Sequence, residues 1–169
     1  GILEALDLFS FLSNQSHLIT EKIEEAKDLD GLSLAAAQIT RMIVLLHRSG
    51  SRVNLIAKLV QQLNARLFER AWQLIAPPEL VANSCLFVMG SEGRGEQLLK
   101  TDQDNGLILR DGYDAPANLQ VLCQQFSAAL ASFGYPPCPG NIVVSNPMWC
   151  QHATTFGQMA RQWLVLPDS

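Results

Sequence analysis

Asp102 and Asp104 are the residues whose type and spacing most plainly suit chemistry. On an extended segment, side chains two positions apart share a face, so both carboxylates point one way, about 6.5–7 Å apart at the backbone. Carboxylates so placed can share or bridge Mg2+, a hard cation that completes its oxygen shell with water and substrate phosphate. Two ions on such a pair would stabilise both the attacking and the leaving oxygen of a phosphoryl displacement. Just upstream, "GSEGRGE" (Gly90 to Glu96) gathers three glycines, an arginine and two glutamates in seven residues. Gly90 permits close backbone approach, Ser91 offers a hydroxyl, and Arg94 can grip a phosphate in bidentate fashion. If a helix begins here, its free N–H groups face the same anion.

Two other phosphate-binding patterns fail. Gly90 and Gly95 have P-loop separation, but Glu96 and Gln97 stand where Lys and Ser or Thr belong, and a carboxylate there repels phosphate. Gly90, Gly93 and Gly95 run GxxGxG, the reverse of the dinucleotide fingerprint. Plainer readings stay open beside the chemical one. Asp102 and Asp104 could form a solvated turn before a strand, and Ser91 a helix cap. Arg94 and Glu96 could pair locally, with Lys100 and Glu92 facing solvent. Trp149 and Trp163 read as packing residues. His152 is weighed as a general base against a surface or satisfied histidine.

The elements that must position these residues divide the chain in two. Residues 1–80 read as a helical bundle or linker region, and 81–169 as a separate α/β unit. Helices are expected over about Leu6–Ala26 and Ser33–Arg48, with "DLDG" as the turn between them. A third carries Val53, Ile56, Val60, Leu63, Leu67, Ala71 and Leu74 at spacings of three or four. Gly50 and Ser51 suit the preceding helix end and the new N-cap. "APPEL" breaks the register, with at most a short helix behind the prolines. "SCLFVM" (Ser84–Met89) reads as a strand buried on both faces, and Asn105–Arg110 as a second. A helix over about Ala117–Phe133, a short strand at "NIVVS" (Asn141–Ser145) and a helix over roughly Gln151–Leu164 complete the pattern. The fold class is α+β: a helical bundle followed by a small mixed sheet with helices.

"VMGSEGRGEQLLKTDQDNGLIL" resembles the signature of the polymerase-beta-type nucleotidyltransferase superfamily: a Gly-Ser pair, a spacer, then Asp-x-Asp. The spacer runs ten residues, Glu92 to Thr101. The nearer resemblance is to the nucleotidyltransferase domains of bacterial signalling proteins, found beside cyclic-nucleotide-binding and CBS domains and similar to the uridylyltransferase that modifies PII proteins. "CPGNIVVSNPMW" (Cys138–Trp149) resembles a second block of those proteins, and the helical lead-in resembles theirs. The resemblance implies that Gly90 and Ser91, with Arg94, hold a nucleoside triphosphate, while Asp102 and Asp104 are catalytic and bind Mg2+. It implies nucleotidyl transfer to an unknown acceptor, which could be a protein, with regulatory domains elsewhere in the full-length chain. The chain departs from the superfamily in one respect. Many active members carry a third carboxylate on a later strand, and the strand expected at Asn141–Ser145 has none, with Asn146 following. The alternative is therefore a nucleotide-binding regulatory domain without transferase activity.

Composition limits the other classes. Of 169 residues, 48% are hydrophobic and 17% charged, enough apolar material for a real core. Net charge is −4, and eight of the twelve Lys and Arg precede residue 84, mixed with nine acids, so no basic stripe for nucleic acid is expected. The apolar runs "MIVLL" and "CLFVM" fall well short of a membrane span, and no signal peptide is visible. Cys85, Cys123, Cys138 and Cys150 form no CxxC pair and read as reduced thiols, which together point to the cytoplasm. The start at Gly1 suits a piece of a longer protein.

Overall fold

The computed structural model describes residues 2–48, 53–88 and 103–165. Three long helices open the chain: α1 (Ile2–Glu25), α2 (Leu29–Arg48) and α3 (Val53–Ile75). Each packs on the other two. Helix α2 buries Leu32, Ala35, Ala36, Ile39, Met42, Ile43 and Leu46, one face of a 3.6-residue period. This helix is long and apolar enough to cross a membrane, and that apolar content is largely the face it turns to α1 and α3. It starts earlier than Ser33, because "DLDG" is its first turn rather than a separate one. Asp28 Oδ1 accepts the Gly31 N–H at 2.8 Å, an N-cap contact that draws Leu29 and Asp30 into the helix. Gly50 and Ser51, expected to stop one helix and cap the next, lie outside the described residues.

Helix α3 has two working faces. Val60, Leu63, Leu67 and Ala71 belong to the buried core, as the spacing foretold. Asn64, Phe68 and Trp72, spaced by four, form a second buried row that meets the rest of the chain. Phe68 packs edge-on against Tyr135 with centroids 4.9 Å apart, and Trp72 against Phe126 at 5.7 Å. One hydrophobic cluster consequently runs from α1 through α3 into the sheet and α5.

After Ala76 and Pro77, the short helix α4 (Pro78–Ala82) leads into β1 (Ser84–Val88), which is followed by β2 (Asn105–Leu109). Helix α5 (Leu119–Ser132), a 3-10 turn at Pro147–Trp149, β3 (Cys150–His152) and α6 (Ala153–Val165) complete the described chain. The sheet order is β1-β2-β3, with β1 antiparallel and β3 parallel to β2. The fold is thus α+β with a small mixed sheet. Met89 lies outside the described residues. Strand β1 is not buried on both faces: Cys85 is exposed and its neighbours are half-buried. Edge position explains this, since among the described residues β1 has only β2 beside it, whereas the central β2 is mostly buried. Leu86 and Val88 pack against the core on one side. On the other, Phe87 lies directly across Gly106, where an added Cβ would fall 2.2 Å from the ring.

The expected strand at Asn141–Ser145 is a loop and turn instead. Asn141 has φ +55°, a left-handed conformation that Asn tolerates but an extended strand does not contain. Pro147 then starts the 3-10 turn, and the third strand forms further on, at Cys150–His152. The last helix accordingly begins at Ala153 rather than Gln151. Its first turn is capped from the β2–α5 loop, where Asp111 accepts from the Thr154 N–H at 3.1 Å and from its hydroxyl at 2.6 Å. Those two bonds hold the Asp111 carboxyl below its usual range.

Candidate functional site

Asp104 sits immediately before β2 and is half-buried, between two fully buried amide side chains. Gln103 donates through Nε2 to the carbonyls of Ser127 (3.1 Å) and Tyr135 (2.9 Å). Its Oε1 accepts from Asn105 Nδ2 at 3.3 Å, and Asn105 Oδ1 accepts the Val144 N–H at 3.0 Å. Burying two amides is tolerable only because their donors and acceptors find partners. Alternation along the extended backbone turns Asp104 away from that buried side, onto the face that also carries Gly106 and Phe87.

The loop after α5 is built to meet this segment. Helix α5 ends in a Schellman motif: Gly134 (φ +99°) donates to Ala131 O at 3.0 Å and Tyr135 to Leu130 O at 2.9 Å. The motif directs Tyr135 back into the core, where its hydroxyl bonds the buried Asn64 of α3 and its carbonyl receives Gln103. Burial raises the Tyr135 hydroxyl's pKa, so it stays protonated. Gln103 N–H donates to Pro136 O at 2.8 Å, and Asn105 N–H to Ile142 O at 3.0 Å. Cys138 lies between these two attachments, and its sulfur accepts the Ile142 N–H at 3.1 Å. Burial first, and the nearby Asp104 carboxylate second, raise the Cys138 pKa and keep the thiol protonated.

Of the residues singled out from the sequence, Asp104 alone is placed here. Gly90, Ser91, Arg94 and Asp102 lie outside the described residues. Among the described residues, no three His, Cys, Asp or Glu side chains gather as a metal cluster.

A family profile described as putative nucleotidyltransferase DUF294 matches residues 37–169, more than three quarters of the chain. The chain belongs to this family. No curated protein and no solved structure matches it. The match opens inside α2, so the family's nucleotidyltransferase unit takes in part of α2 and all of α3 as well as the sheet.

Within this nucleotidyltransferase-family chain, two residues beside Asp104 matter that the sequence did not single out as site residues. Asn105 read there as the start of the second strand, and Gln103 only as the residue between the two aspartates. The only available signal was the alternation in "DQDN", where two amides would share the face opposite the carboxylates. Other candidates fall away from Asp104. His152 pairs in register with Leu109, five positions along β2 and so on the order of 16 Å from Asp104. Its Nε2 is bonded to Tyr113 O at 2.8 Å, the satisfied-histidine reading. Asn146 is used locally: Oδ1 accepts the Met148 N–H at 3.2 Å and Nδ2 donates to Asn141 O at 3.0 Å. Trp149 and Trp163 pack on each other at 5.3 Å, and both pack on Phe156. Strand β3, read as Cys150, Gln151 and His152, carries no carboxylate.

Proposed function

We propose that this chain transfers a nucleoside monophosphate from a nucleoside triphosphate to an acceptor hydroxyl, with Asp102 and Asp104 holding Mg2+. The acceptor oxygen forms a bond to the α-phosphorus, the α–β phosphoanhydride bond breaks, and pyrophosphate leaves with its electron pair. The observation that carries this reading is the family match across residues 37–169, which contains both the Gly-Ser pair and the Asp-x-Asp. Asp104 fits the metal by donor chemistry: it is a hard carboxylate oxygen, half-buried beside a rigid backbone, and Mg2+ in such sites takes one or two carboxylates with substrate phosphate and water. When bound, the ion neutralises charge on the phosphates and orients them.

The chain's own part is positioning. Gln103 and Asn105 fix the backbone on either side of Asp104, so its carboxylate need not be ordered anew when a ligand arrives. Gly90 and Ser91 follow β1, which pairs with β2, and would hold the triphosphate with Arg94. The test is pyrophosphate release or label transfer by the full-length protein, using several triphosphates and candidate acceptors. Transfer that survives in an Asp102→Ala, Asp104→Ala double variant would defeat the assignment.

A second reading, a sensor that binds nucleotide without transferring it, draws on one observation. Neither β3 nor the Asn141–Ser145 loop brings a third carboxylate beside β2. Tight triphosphate binding with no turnover against any acceptor would favour it.

A further inference from the structure

Asn64 is the amide in the row that α3 turns toward the rest of the chain, one turn before Phe68 and two before Trp72. It is buried, and its Oδ1 accepts the hydroxyl of the buried Tyr135. The Tyr135 ring rests edge-on against Phe68, and the Tyr135 carbonyl accepts Gln103 Nε2 at 2.9 Å. Two hydrogen bonds therefore lead from Asn64, on a helix, to the residue immediately before Asp104. Helix α3 is itself held to the sheet, because Trp72 Nε1 donates to Ser84 Oγ, at the start of β1, at 3.2 Å. Packing alone does not call for the Asn64–Tyr135 link. Leucine at 64 and phenylalanine at 135 would fill similar space without burying an amide and a hydroxyl. Such a pair adds little net stability, but it is satisfied in one arrangement only and so fixes geometry.

We propose that Asn64 is a positioning residue for Asp104: by holding the Tyr135 hydroxyl it sets the Tyr135 carbonyl, and through it the Gln103 side chain and the backbone that carries the carboxylate. This rests on the reading of Asp104 as a metal ligand. Asn64 and Tyr135 are 71 residues apart in sequence, so their bond ties the helical region to the corner that presents Asp104. Groups that orient a metal ligand directly are typically worth about 10–100-fold in metal affinity. Asn64 acts from further back along the chain of bonds, so the lower end of that range is its upper limit.

The experiment measures Mn2+ affinity of the full chain, by loss of the free-ion paramagnetic resonance signal, with denaturant unfolding of the same samples in the absence of metal. Wild type is compared with Asn64→Leu, with Tyr135→Phe, with the two combined, and with Leu67→Ala on the apolar face of the same helix. Either single variant should be less stable and bind Mn2+ about three- to tenfold more weakly. Combining them replaces both partners by apolar groups, which should recover most of the stability lost in Asn64→Leu while affinity stays at the lowered value. Leu67→Ala should lose more stability than any of these and still bind Mn2+ as wild type does. If the leucine variants do not fold, Tyr135→Phe, which deletes a single oxygen, is set against Leu67→Ala. Wild-type affinity in the combined variant or in Tyr135→Phe, or affinity that falls with stability across the set with Leu67→Ala included, overturns the role of Asn64 while leaving Asp104 as a ligand. Failure of the wild type to bind Mn2+ at all overturns the metal reading of Asp104, and this proposal with it.

Discussion

The three-helix region and the corner around Asp104 are both tightly buried, but by opposite means. In α2 and α3, burial is apolar and repetitive: Leu32, Ile39, Leu63 and Leu67 are shielded from water at helical spacing. Polar contacts there lie mostly at the rim, such as the exposed Glu24–Arg66 pair at 3.4 Å. Around Asp104 the buried groups are Gln103, Asn105, Ser127 and the Tyr135 hydroxyl, each joined to a backbone or side-chain partner. Apolar packing is non-directional and adds stability in proportion to area. A polar network contributes less net stability but fixes one geometry, because any other leaves a buried group unpaired. A region proposed to hold a carboxylate in place is better served by the second.

That contrast can be broken by mutation. The largest loss of stability is expected in the helical region, where Leu67→Ala should cost about 2–5 kcal/mol in denaturant unfolding. Triphosphate binding, measured well below the transition, should be unchanged. Gln103→Leu should cost less, about 1–3 kcal/mol, because it removes the amide that donates to the Ser127 and Tyr135 carbonyls and accepts from Asn105 Nδ2. Its effect on triphosphate binding should nevertheless exceed that of Leu67→Ala. If binding follows stability in both variants alike, the network has no special role.

The smallest effect is expected at α6. Asp111→Asn should leave global unfolding nearly unchanged and speed amide exchange in the first turn after Ala153. Since bonding to Thr154 depresses the Asp111 carboxyl below 3.8, its stabilising contribution is fully present above that value. It is lost as the pH falls through the depressed folded-state value. Local opening of that turn in the wild type should therefore increase only in acid, and the Asp111→Asn variant should show no such step.

The same contrast explains what could be read from the sequence. Helices α2 and α3 were legible because apolar periodicity records their packing directly, and only the start of α2 was displaced, by the Asp28 cap. Strand β2 and the break at Pro77 were legible for similar reasons. The third strand was not: "NIVVS" has β-branched residues, yet Val143 and Val144 are buried from a loop that meets Asn105 once by backbone, at Ile142 O, and once through its side chain, at the Val144 N–H. β-Propensity cannot distinguish those two ways of burying valine. At the candidate site, Asp104 was singled out by its Asp-x-Asp spacing. Gln103 and Asn105 were not, since each acts through a partner more than twenty residues away.

The central claim is that Asp104 serves metal-dependent nucleotide binding. Calorimetry of nucleoside triphosphates against the full-length protein, with and without Mg2+, tests it most directly when wild type and Asp104→Asn are compared. The account predicts that at least one triphosphate binds in the presence of Mg2+, and that Asp104→Asn weakens this by more than about tenfold while the protein stays folded. Binding that ignores Mg2+, or that is equal in wild type and Asp104→Asn, would contradict it.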